Sequence, residues 1–298
     1  MNRRVYLRGA ALLVVALGVV SGLTVYFSTQ KTPPCLVTGI PKWRPPTDKS
    51  LHRFELVLPD RTLCFFDMDH DQALVGFLPL NGIEGVTSIA PRRDGRLAIR
   101  FGNARGALVD LSTGAIQHGT VTAPAPSDTV TVVDPRRLLV FSTRRGVLGF
   151  RMFAPATFDQ WNVTFPGFTW NPRFGPNPPD HGLSLAPDKP ELWVLDAPNN
   201  VVHVFDVSRP PHFLPRDLKD IRLTEPLIGK EDPCASRNCR RLGSLQHSAD
   251  GRFVYVGDSG DVIDTQKREE IVNLEALHQS RLTIEVDWVN GKPEFPGR

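Results

Sequence analysis

The chain has few cysteines, no dense basic run on its body, and none of the common nucleotide or haem motifs. Its 298 residues hold four cysteines: Cys35, Cys64, Cys234 and Cys239. A four-cysteine zinc site needs two close pairs, and Cys35 and Cys64 are too far apart in sequence to make one. No Walker loop, dinucleotide fingerprint, c-type haem motif or metalloprotease helix occurs. The formal charge of +3 resides in Arg3, Arg4 and Arg8, and the first thirty residues contain no acid. Basic and acidic residues balance in the rest, so a nucleic-acid footprint is not expected. With 27 prolines and 24 glycines, the composition calls for many turns and few long helices.

One long apolar run is present. Ala10 to Phe27 carries no charge. As a helix it would rise roughly 27 Å, enough to cross a hydrocarbon core. The arginines ahead of it place the amino terminus inside and send the bulk outward. Residues 1–30 are therefore expected to be an uncleaved transmembrane anchor, with a cleaved signal segment as the alternative reading. Residues 31–50, with Pro33, Pro34, Pro41, Pro45 and Pro46, are expected to form a semi-stiff spacer. Both readings put residues 51–298 on the periplasmic or extracellular side, where disulfides persist. Cys234 and Cys239 share one polar loop and could close a small ring, but spacing does not fix the connectivity.

The body repeats itself. Ser248-Ala249-Asp250-Gly251 is a turn, Phe253 to Gly257 a strand, and Asp261 to Asp264 a second strand. A looser copy runs from His181 through Glu191-Leu192-Trp193-Val194-Leu195-Asp196 to Val201–Asp206. Two more begin near Val86 and Val130, at intervals of about 44, 52 and 62 residues. Alternating apolar positions, β-branched residues and Asp-Gly turns predict strands. A partial unit, Arg53 to Leu78, precedes the four. An orphan strand, Arg281 to Trp288, follows them. If that strand joins the partial unit it closes a ring and leaves no exposed sheet edge. The expected fold is all-β, a five-bladed β-propeller behind the transmembrane helix, with one helical turn somewhere in residues 267–280.

The fourth unit resembles the YVTN-type β-propeller repeat, whose Ser-Pro-Asp-Gly turn precedes a Tyr-Val strand, here Tyr255-Val256. Ala249 stands where that motif has proline. The third unit is similar through Ala186-Pro187-Asp188 and Trp193-Val194. Phe66-Asp67-Met68-Asp69 and Gly291-Lys292-Pro293 are similar to segments of the YncE-like bacterial proteins of that group. The resemblance spans residues 54–293 and implies export and a propeller, usually of seven blades. It implies no particular activity.

Several residues invite a functional reading. Asp180 and His181 precede the innermost strand of the third unit, where a propeller places ligands, and could bind a metal or move a proton. Phe168 and Trp170, with Phe165 and Phe174, could form an aromatic rim. His203 and His247 are read as satisfied sheet residues. Asp67-Met68-Asp69-His70-Asp71 imitates a calcium loop, but Gln72 and Leu78 stand where Gly and Glu are required, so a hairpin turn is expected. Gly182-Leu183-Ser184-Leu185-Ala186 imitates a nucleophile elbow without its strand-turn-helix setting. Asn162-Val163-Thr164 is a chance sequon in a strand.

The sequence thus reads as an exported, membrane-tethered binding or scaffold module for a protein or small molecule. No catalytic residue and no cofactor are assigned, and any metal is left unspecified. The alternative is a channel-mouth enzyme, a lactonase-like hydrolase or a metal- or redox-cofactor protein. Convergent ionisable groups at one mouth would favour the enzyme, and an apolar lining the binding module.

Overall fold

The computed structural model describes residues 35–36, 38–59, 61–102, 105–121, 130–144, 147–165, 182–197, 199–209, 214–225, 227, 243–278 and 280–296. They belong to one compact unit, Pro34–Arg298. Among them no helix is long and apolar enough to cross a membrane. The Ala10 to Phe27 run lies outside the described residues, as do Cys234 and Cys239.

The described chain forms five antiparallel sheets, built almost entirely in sequence order. Blade A holds β1 (His52–Val57), β2 (Thr62–Asp67) and β3 (Ala73–Pro79). Blade B follows with β4 (Val86–Pro91), β5 (Arg96–Phe101), β6 (Arg105–Asp110) and β7 (Ile116–Gly119). Blade C holds β8 (Thr131–Asp134), β9 (Leu139–Arg144), β10 (Val147–Ala154) and β11 (Asp159–Thr164). Blade D has β12 (Leu183–Leu185), β13 (Glu191–Asp196), β14 (Val201–Asp206) and β15 (Arg216–Arg222). Blade E has β16 (Ser244–His247), β17 (Phe253–Gly257), β18 (Asp261–Asp264) and β19 (Glu269–Asn273). Among the described residues, a 3-10 turn at Glu275–Leu277 supplies the helical turn expected between 267 and 280.

The last strands, β20 (Thr283–Val289) and β21 (Lys292–Glu294), return to blade A. There β20 pairs with β1 over six residues, from His52 opposite Trp288 to Val57 opposite Thr283. The final sheet order is β21-β20-β1-β2-β3. This is the expected closure, in which carboxy-terminal chain completes the amino-terminal blade. Asn290 (φ 52°) and Gly291 (φ 75°) make the tight turn into β21, the type I′ geometry that fits the twist of a two-residue hairpin. Among the described residues, five antiparallel sheets with the last strands sewn into the first sheet make an all-β arrangement consistent with a β-propeller.

Apolar side chains join blade A to B, C to D, D to E and E to A. Leu56, Phe65 and Trp288 of blade A meet Leu97, Ile99 and Val109 of blade B. Blades C and D share Phe141, Phe150, Leu192 and Phe205. Blades D and E share Trp193, Val204, Val254 and Val256, and blades E and A share Tyr255, Val262, Val57 and Phe66. Each large side chain so buried contributes about 1.5–3 kcal/mol.

Part of the proline-rich stretch belongs to this core. Cys35 is disulfide-bonded to Cys64 in β2, with Cα atoms 5.8 Å apart and a sequence separation of 29. Closing a loop of that length stabilises by about 3–4 kcal/mol in the chain-entropy account. Trp43 stacks on Phe65 at 3.8 Å, and its indole N–H donates to the Leu111 carbonyl at 3.0 Å. Gly76 permits that approach, since a Cβ there would lie 3.1 Å from the Trp43 Cα. Cys35 and Trp43, within the proline-rich stretch, therefore pack with the sheets.

Polar contacts lock the closing seam to blade E. Glu55 of β1 and Glu285 of β20 are register partners, and both are buried. Two carboxylates opposite one another repel unless donors meet them. Gln246 Nε2 donates to Glu55 at 3.4 Å, and the backbone N–H of Ala249 donates to Glu285. Nearby, Arg53 bridges Asp69 in the β2–β3 turn and Asp250 in the β16–β17 turn. The Arg53 hydrogen bond holds Asp69 below the usual carboxylate range. Burial pushes Asp250 upward, but the Arg252 N–H, the Ser248 hydroxyl and Arg53 outweigh it.

The donor at Ala249 exists because this chain departs from the Ser-Pro-Asp-Gly pattern: proline has no N–H to give. Restoring the motif with Ala249→Pro should destabilise the protein by about 1–3 kcal/mol, the cost of removing a donor from a buried carboxylate. Urea unfolding of wild type and variant measures it. A neutral or stabilising Ala249→Pro would remove this contact from the account of closure.

Candidate functional site

Three first strands and their following turns converge on one cavity of about 590 Å³. It lies where β8, β12 and β16 meet, one strand from each of blades C, D and E. The floor is apolar, with Val132, Leu183, Leu185 and Leu245 among its lining residues. The rim comes from the first turn of each blade. Blade C supplies Asp134, Arg136 and Arg137, blade D supplies Pro187 and Lys189, and blade E supplies Ser248 and Ala249.

Local chemistry sets the rim. Asp134 is 2% exposed and ends β8, and its Oδ1 accepts the backbone N–H groups of Arg136 and Arg137 at 2.9 and 3.3 Å. This Asx turn reverses the chain without a glycine. Asp134 also pairs with the Arg137 guanidinium at 2.7 Å. Arg136 reaches across the cavity edge, donating from Nη2 to the Pro187 carbonyl at 2.7 Å and so tying blade C to blade D. With Asp134 matched to Arg137, Arg136 and Lys189 give the rim a positive bias.

The polar pair in the wall is Ser184 with His247. Ser184 Oγ lies 2.7 Å from His247 Nδ1, and the backbone N–H of His247 donates to the same oxygen at 3.2 Å. The hydroxyl accepts the backbone N–H through one lone pair and keeps both its proton and a second lone pair for the ring nitrogen. Trp193 packs edge-on against the imidazole at 5.5 Å. Gly182 makes the approach of the two strands possible, because a Cβ there would collide with the Leu245 backbone nitrogen.

Of the residues singled out in the sequence, Asp180, His181, Phe168 and Trp170 lie outside the described residues. His247, read as a satisfied sheet residue, is hydrogen-bonded as expected but also faces the cavity. His203 sits in β14 between Asp196 and Asp220, with ring nitrogens 3.2 and 2.6 Å from their carboxylate oxygens. Burial of the ring opposes its charge, but the bonds to Asp196 and Asp220 prevail and raise its pKa. Asp67 to Asp71 forms the β2–β3 hairpin turn, with His70 Nδ1 2.9 Å from Asp67 Oδ2. Arg136 and Lys189 were missed because a basic residue in a β-turn carries no signal by itself. The Cys35–Cys64 bridge was also missed, since spacing alone cannot bring two distant cysteines together.

No protein-family model matches the chain, and no curated protein matches it in sequence. Among solved structures, it is similar to a functionally unknown protein from Desulfotomaculum acetoxidans. That match is 12% identical with a TM-score of 0.35, and covers 81% of this chain and 78% of the other. The β-propeller domain of Myceliophteria thermophila Cps50 (Swd1) is 15% identical with a TM-score of 0.32, over 63% of this chain and 54% of that one. A streptogramin B lyase is 12% identical with a TM-score of 0.30, over 73% and 56%. The chain spans just over half of each of the latter two. These are loose superpositions, and no chemistry passes from them to the cavity.

Proposed function

We propose that this protein is an exported, membrane-tethered β-propeller of the YVTN type that binds a small molecule with an apolar body and one anionic group. The observation that carries the binding reading is the cavity, an apolar floor under a rim where Arg136 and Lys189 stand without matching acids among its lining residues. Pockets of this size bury most of a small ligand, and a few placed polar groups fix its orientation. A guanidinium has five N–H donors, and the Pro187 carbonyl engages one of its nitrogens. The rest suit a carboxylate or phosphate. Export is supported by the arginine-flanked apolar run and by the Cys35–Cys64 disulfide, which belongs to an oxidising compartment. The Ser248-Ala249-Asp250-Gly251 and Tyr255-Val256 motifs support the YVTN assignment.

Thermal shift measurements on the full-length chain test it, using octanoate and phenylacetate against the matching neutral amides. The acids should raise Tm and the amides should not, and Arg136→Gln with Lys189→Gln should abolish the difference. Equal response to acid and amide would contradict the reading.

One observation favours a second reading. Ser184 and His247 form a hydrogen-bonded hydroxyl–imidazole pair in the cavity wall, the minimal arrangement for an activated serine nucleophile. The binding reading is preferred because Ser184 lies within a strand, its oxygen already held by a backbone N–H. A fluorophosphonate probe separates the two. No labelling is expected under the binding reading, whereas labelling that disappears in Ser184→Ala would establish the hydrolase.

A further inference from the structure

Blade D carries a second cluster, away from the cavity, on its outer strand. His203, Asp217 and Asp220 each offer one ligand atom, and the three atoms lie within 4.8 Å of one another. We propose that these residues bind a divalent transition-metal cation, of which zinc is the type, with Asp196 as the residue that orients the histidine.

The sheet register explains how the three side chains meet. His203 pairs with Asp220, Val204 with Lys219, and then Phe205 with Asp217, so Leu218 is skipped. In a regular strand Asp217 and Asp220 would point to opposite faces, because successive side chains alternate. The bulge at Leu218 turns Asp217 back onto the face of His203, a re-aiming of one side chain that bulges commonly perform. Leu218 instead packs toward the blade D–E core.

Asp196 gives the cluster its second, independent feature. It is 1% exposed at the end of β13, and its Oδ2 faces His203 Nε2 at 3.2 Å. Asn199 fixes that carboxylate through its backbone N–H at 3.2 Å and its side-chain amide at 2.8 Å. A buried carboxylate that accepts a hydrogen bond from one ring N–H leaves the other nitrogen as a ligand lone pair. This carboxylate–histidine–metal order is the usual way a protein sets a ligating imidazole. Here the outward nitrogen is Nδ1, the one beside Asp220. One nitrogen and two carboxylate oxygens, with positions open to solvent, suit zinc better than calcium, which prefers oxygen alone. Asp217 and Asp220 are exposed on the outermost strand of the blade, so their carboxylates can open around an ion without disturbing the core.

The bound ion would clamp β15 to β14, so the test has a structural readout. The full-length chain is stripped with EDTA, dialysed and titrated with zinc chloride by calorimetry, in parallel with thermal unfolding. One equivalent should bind, and Tm should rise by a few degrees at about a hundredfold excess over Kd. Asp217→Asn with Asp220→Asn changes only exposed side chains, so it should fold as wild type and lose both the binding and the shift. Asp196→Asn should weaken binding by about 10–100-fold. Failure of the wild type to bind zinc would overturn the proposal. So would zinc binding in the Asp217→Asn/Asp220→Asn variant equal to that of wild type, whatever the behaviour of Asp196→Asn.

Discussion

Everything in this fold depends on the pairing of β20 with β1. The propeller is assembled from sheets that touch only their neighbours, so its first and last blades would otherwise expose an open junction. Six register pairs between residues 52–57 and 283–288 convert a row of blades into a closed body. The seam is strengthened on both sides. Trp288 and Leu56 pack into the junction with blade B, while Glu55 and Glu285 take donors from blade E. Without closure β1 would be an edge strand with unpaired backbone groups, and edges of that kind invite aggregation.

Closure also bears on the cavity. Ala249, which donates to Glu285 of the closing strand, lines the cavity too. Blade E is thus held from one side by the seam and from the other by the Ser184–His247 contact with blade D. Arg136 continues the chain of contacts from blade D to blade C. The rim is therefore a set of turns fixed by inter-blade hydrogen bonds, and a preorganised rim lowers the cost of fixing a ligand.

Much of the fold was legible. Alternation and Asp-Gly turns marked the inner strands of blades D and E, where buried apolar positions dominate, and the orphan strand near the carboxy terminus announced the closure. Outer strands were harder to place. β15, Arg-Asp-Leu-Lys-Asp-Ile-Arg, has mostly exposed positions, so its sequence shows little apolar period. For the same reason Asp217 and Asp220 drew no notice, and only the skipped residue at Leu218 brings them to His203. A register shift between the two outermost strands recurs in blades A, D and E. The cavity was less legible than the fold, because it joins residues from three blades that no local motif connects.

The most direct test of the central claim, that the carboxy-terminal strand closes the structure, is native-state hydrogen exchange on the intact protein. If closure holds the body together, amides of β20 and β1 should exchange only through global unfolding, with protection equal to that of the buried strand β13 in blade D. Fast exchange of β20, independent of the rest and at a low opening free energy, would show a strand that merely leans on blade A, and would contradict the account.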